Sequence, residues 1–177
     1  CTSLKLSGLW MTIWPESLLH LPLSPVGLGS ASYFDLGTYP RPFILHPTLD
    51  TTAIIVSRDD PQGWEAGVKL ARNLGDQLNG ALITLKVYFA DALPEDARKQ
   101  DHLLILGRPS TNALVAELKD ALPASFEPGS DIVTDEHTQV AYRLGANANI
   151  GYLELLRSPW NNERVIITVL GNSTQSL

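Results

Sequence analysis

The stretch TAIIVSRDDP, Thr52 to Pro61, decides how this chain is read. Thr52–Ser57 (TAIIVS) is continuously apolar and rich in β-branched residues, the pattern of a short strand covered on both faces. Asp59, Asp60 and Pro61 follow at once. An Asp at the N-cap with a Pro at the first helical position starts a helix. That helix is expected over 61–79, with Trp64, Val68, Ala71, Leu74 and Leu78 recurring on one inward face. Gly80 then fits a left-handed C-terminal cap.

The same unit recurs downstream. Ala81–Phe89 (ALITLKVYF) is the second expected strand, and 93–100 a short helical turn or loop. Asp101–Gly107 (DHLLILG) is the third strand, again apolar throughout. Ser110 or Thr111 caps a helix expected to reach Leu122, with Leu114, Val115, Leu118 and Leu122 inward. Two strands are expected at 139–144 and 151–156, joined as a hairpin through 145–150. Glu163–Leu170 (ERVIITVL) is another buried strand. Strand–helix alternation with short apolar strands implies parallel pairing through crossover helices. The fold class expected for 49–177 is therefore α/β, a flavodoxin-like three-layer sandwich on a mostly parallel sheet.

Upstream the texture differs. Residues 1–22 (Met11–Trp14 above all) read as the last strand of a preceding β domain. Residues 23–48 form a Pro-rich connector. Its prolines bar regular helix or central strand. Tyr33, Phe34, Tyr39 and Phe43 interrupt it, so it is expected to be ordered and packed against a body.

The totals exclude several classes. A chain of 177 residues with 44% hydrophobic and 18% charged residues suits one folded domain. A net charge of −6, with its 13 basic residues scattered, argues against a nucleic-acid surface. One cysteine, Cys1, rules out an internal disulfide and a cysteine zinc cluster. The longest apolar runs (Thr52–Val56, Leu103–Leu106, Val165–Leu170) fall far short of the ~20 residues that cross a bilayer. The chain reads as soluble, with any membrane anchor outside it.

No catalytic motif is present. Walker, GxGxxG and G-x-S-x-G patterns are missing from the sequence. His20, His46, His102 and His137 are never three or four residues apart, so no helical metal pair exists. The charged loop 131–137 lacks the calcium-loop spacing. We expect no cofactor and no metal. Asp59, Asp60, Glu65, Asp135 and Glu136 supply carboxylates, but nothing pairs two of them across a cleft as glycoside hydrolysis requires.

Ligands of open α/β sheets bind at the carboxyl ends of strands. Three such ends can be read. Ser57–Asp60 carries two acids that would repel a phosphate, and a helix cap explains it better. Gly107-Arg108-Pro109-Ser110-Thr111 and Gly171-Asn172-Ser173-Thr174 are weak anion-site candidates. A flat ring can instead stack on a pyranose face. Trp160, after Pro159 between two strands, is the leading candidate for that, with Trp14 and Tyr39 as alternatives. Trp64 is assigned to the core by its helical register.

Several segments, taken in order, resemble the regulatory B subunit of bacterial cellulose synthase. Trp10–Pro22 (WMTIWPESLLHLP) resembles that family's exit from a carbohydrate-binding domain. Tyr39-Pro40-Arg41-Pro42-Phe43 is similar to its proline-rich aromatic lead-in. Asp50–Val56 resembles its next strand, and Leu70-Ala71-Arg72-Asn73-Leu74-Gly75 its following helix. Leu103–Pro109 is similar to its buried strand ending in glycine and proline. Leu155-Leu156-Arg157-Ser158-Pro159-Trp160, followed by Val165–Gly171, is the most distinctive piece. The Asp59-Asp60 pair and the 131–137 loop have no counterpart in that pattern.

The resemblance implies a non-catalytic partner of a glucan synthase, with the synthase catalytic subunit and the nascent glucan as partners. It also implies a place outside the inner membrane, a carbohydrate-binding domain upstream and a membrane anchor elsewhere. The alternatives are a docking module of another exopolysaccharide system and a ligand-binding enzyme domain of flavodoxin fold.

Overall fold

The computed structural model describes residues 35–78, 82–127, 129–134, 149–173 and 176. The expected strand at 11–14, Trp14, the cap at Gly80 and the strand at 139–144 lie outside the described residues.

A five-stranded sheet carries the architecture. Its strands are β1 (Thr52–Val56), β2 (Lys86–Phe89), β3 (His102–Gly107), β6 (Gly151–Ser158) and β7 (Asn161–Gly171), in spatial order β2-β1-β3-β7-β6. Two short strands, β4 (Ser125–Phe126) and β5 (Val133–Thr134), pair antiparallel to each other. The helices are α1 (Pro61–Asp76), α2 (Glu95–Gln100) and α3 (Ala113–Glu117). β2, β1, β3 and β7 run parallel. β6 runs against β7 along its whole length, from Gly151↔Gly171 to Ser158↔Asn161. The protein is thus a mixed α/β structure whose sheet has one antiparallel edge. Chain neighbours joined by only Pro159 and Trp160 can pair this way, since antiparallel partners need no crossover.

Side chains alternate across the sheet as the pleat demands. Ala53, Ile55, Leu103, Ile105 and Ile166 join one core cluster with Ala97 of α2 and Leu114 and Val115 of α3. Ile54, Val56, Leu104, Leu106 and Ile167 join a second with Leu74 of α1. Hence α1 covers one face, and α2 and α3 the other. Phe43 is fully buried in the α1-side cluster, and its carbonyl accepts from Thr52 Oγ1 at 2.8 Å. Phe43 thereby fastens the segment just before β1 to the α1 side of the sheet.

The inward face of α1 departs from expectation. Its fully buried positions are Gly63, Gly67 and Leu74. Val68 is 68% exposed and Trp64 38%, so Trp64 is not a core residue. The cause is close approach. A Cβ at Gly63 would stand 3.2 Å from the Gly107 Cα, and one at Gly67 3.5 Å from Leu106 and Val56 side-chain carbons. At Gly63 the helix start lies so near the sheet that a side chain would crowd the Gly107 backbone, while Gly67 faces the sheet at ordinary contact distance, and the neighbouring Trp64 faces outward.

Other boundaries shift by local chemistry. α1 ends at Asp76, short of Asn79. The second strand is only Lys86–Phe89. The helix expected from Ser110 to Leu122 is Ala113–Glu117, preceded by a 3-10 turn at Pro109–Thr111. Its N-cap is Asn112, whose side chain accepts the Leu114 amide at 3.1 Å. Pro109 opens the tight turn and delays the helix.

Candidate functional site

The chain passes from β1 outward to β2 and then returns to the far side of β1 as β3. The crevice outside the carboxyl ends of β1 and β3 is therefore the point where strand order reverses, the usual ligand position in sheets of this layout. Phosphates are held at such points by free backbone amides at a helix start.

Here the chain's own carboxylates take those amides. Asp60 is fully buried. It caps α1 by accepting from the Gly63 amide at 3.2 Å, and it accepts from the Arg108 amide at 2.8 Å across the crevice. Asp131 Oδ1 accepts from the Ser110 amide at 2.7 Å. A phosphate would have to displace two anions and then sit beside them. The cap reading of Asp60 is correct as far as it goes. Its second bond, to the strand β3 exit, ties α1 to the sheet.

The third strand end is also internally occupied. Asn172 exchanges bonds with Ile150, its amide donating to the Ile150 carbonyl at 3.1 Å and its Oδ1 accepting the Ile150 amide at 2.9 Å. Among the described residues no group of three His, Cys, Asp or Glu side chains is placed to hold a metal ion.

Two of the three candidate rings are described, and they do not come together. Trp160 sits in the β6–β7 turn, half-buried against the α2–α3 side cluster. The Arg98 guanidinium lies 5.1 Å from its ring centroid. Tyr39 is 37% exposed and donates from its hydroxyl to Asn73 Oδ1 of α1 at 3.1 Å. Partial burial raises its pKa above the ordinary phenol value. The two rings thus lie on opposite faces of the sheet. Trp14 lies outside the described residues.

A different aromatic group emerges at the carboxyl edge. The Trp64 indole donates from Nε1 to the Ser57 carbonyl at 3.0 Å. Its ring meets Phe89 edge-on, with centroids 5.5 Å apart and planes at 64°. The Arg58 guanidinium carbon stands 3.9 Å above the Phe89 ring centroid. Arg58 Nε also donates to both oxygens of Asp91, at 3.3 and 3.0 Å. Sequence reading missed this cluster because it took Trp64 as core. Gly63 and Gly67, four residues apart, were the available signal of a glycine-lined contact face beside it.

A family model for the second FD domain of cellulose synthase BcsB matches residues 33–169. That span is most of the chain, and the chain belongs to this family. Neither a curated protein nor a solved structure matches it significantly. Among the described residues no helix is long and apolar enough to cross a membrane.

Proposed function

We propose that this domain is a non-catalytic accessory module of a bacterial cellulose synthase, acting outside the inner membrane to guide the emerging glucan. Family membership supports the cellulose assignment. The flavodoxin-like reading of the sheet belongs to the same proposal, with the strand order β2-β1-β3-β7 in its favour. The observation that carries the non-catalytic part is the filled crevice, where Asp60 and Asp131 already accept the amides a phosphate-bearing substrate would need.

In this reading the partners are the synthase catalytic subunit and the polymer, and a membrane anchor elsewhere in the subunit holds the domain in place. Trp160, Tyr39 and Trp14 are sugar contacts proposed from sequence. The first two each offer a partly exposed ring.

The test is genetic. Residues 33–169 are deleted in frame from the subunit that carries this chain, in cells producing the polymer. The expected result is a loss of exported glucan with the catalytic subunit still present at normal abundance. Unchanged export would sink the proposal.

A further inference from the structure

We infer that the exposed Trp64 ring, with Phe89, Arg58 and Asp91 around it, is a contact platform for a neutral β-linked glucan chain. This rests on the proposed role in glucan handling and gives that role a site.

Four residues from three segments converge there. Arg58 follows β1, Phe89 ends β2, Asp91 lies in the 3-10 turn after β2, and Trp64 stands in the first turn of α1. All are at the carboxyl edge. An exposed tryptophan is ordinarily free to change rotamer. This one is held by its Nε1 bond to Ser57 and by the edge contact with Phe89. A ring fixed before binding loses little entropy when a ligand stacks on it.

The chemistry beside the ring selects the ligand. A pyranose has an apolar C–H face and a rim of hydroxyls that both donate and accept. The ring suits the face. Guanidinium donors and carboxylate acceptors suit the rim. Arg58 and Asp91 are each about half exposed, at 52% and 56% of the side chain, so their outer atoms can reach a ligand. They neutralise one another, and exposed Asp59 lies next to Arg58. Anionic sugars and phosphates are therefore disfavoured, and a neutral polymer fits. Trp160 is the poorer platform, because it is packed against the core with Arg98 at its ring.

The experiment titrates the whole 177-residue chain with cellohexaose and follows the four indole N–H resonances by NMR, assigned through single Trp→Phe replacements. The expected result is weak binding that moves the Trp64 resonance. Affinity should fall about tenfold in Trp64→Ala, as for loss of one anchoring ring. Asp91→Asn, which keeps the shape, should weaken binding several-fold, a useful check if Trp64→Ala folds poorly. Trp160→Ala should weaken binding less than Trp64→Ala does, because the Trp160 ring is half-buried with Arg98 against it.

Shifts confined to other indoles would overturn the platform while leaving glucan handling intact. Silence at millimolar cellohexaose would also overturn it, and the deletion experiment would still decide the broader role. If Trp64→Ala cuts glucan export although no indole responds to cellohexaose, the patch docks a protein, and the inference fails.

Discussion

At Asp60 one carboxylate accepts amides from two elements, Gly63 in α1 and Arg108 beyond β3. Gly107 is shaped by that arrangement. Its φ is +128°, and a Cβ there would lie 2.6 Å from Asp60 Oδ2. Both the backbone angle and the contact require glycine. We predict that Gly107→Ala destabilises the domain by about 2 kcal/mol or more. Urea midpoints decide it: a variant within about 0.5 kcal/mol of the unaltered protein, the usual range for surface changes, would refute the strain argument. The sequence announced Asp60 as a cap because Asp-Pro is a local signal. Its bond to Arg108 joins residues 48 apart, and no local pattern encodes that.

Among the elements, the buried strands were the most legible. β1, β3 and β7 are apolar runs covered on both faces, and each lies within a residue or two of its expected place. The start of α1 was equally plain. Its inward face was not, because glycines contribute nothing to a hydrophobic periodicity, yet Gly63 and Gly67 are the buried positions of its first two turns. α3 was overread for a related reason. Leu118 and Leu122 are buried as expected, but they occupy the turn after the helix rather than the helix itself. Burial follows from composition, whereas helix length depends on where Pro109 and Asn112 reset the backbone. The site was the least legible part. Trp160 stands between two strands as expected, yet it is half-buried, and Trp64, read as core, is the more exposed of the two.

For the whole molecule, His102 sets a dependence on acidity. It is buried between Phe43, which meets its ring edge-on at 5.8 Å, and Arg164, whose Nη1 lies 3.4 Å from Nε2. Nδ1 accepts the Val165 amide at 3.1 Å. Burial first, then the Arg164 and His46 charges, push its pKa down from 6.5 to about 4. Between those values the unfolded chain takes up a proton that the native state refuses. Stability is therefore intact above about pH 6.5 and falls as pH drops toward 4, by about 2 kcal/mol at pH 5. Glu154 works in the opposite sense. Its pKa is raised chiefly by burial, so protonating it favours the native state as pH falls. A His102→Asn variant keeps Glu154 and should show less loss between pH 7.5 and pH 5 in urea titrations. An unchanged loss would mean that His102 is not its source.

The alternation of the pleat has a consequence for how substitutions combine. The two core clusters have no residue in common, although the same strands build both. Ile105 and Ile167 stand on neighbouring strands but face opposite ways, whereas Ile55 and Ile105 are register partners on one side. Truncating an isoleucine to valine costs about 0.5–1.5 kcal/mol in a core. Ile105→Val joined to Ile167→Val should cost the sum of the two, to within about 0.5 kcal/mol, because no packing partner is shared. Ile105→Val joined to Ile55→Val should depart from its sum, since the two losses open one space. Equal non-additivity in both pairs would show that the backbone passes strain freely between the faces. Otherwise the sheet isolates its faces from each other, and the α1 side, which carries Trp64, can change its packing while the α2–α3 side does not respond.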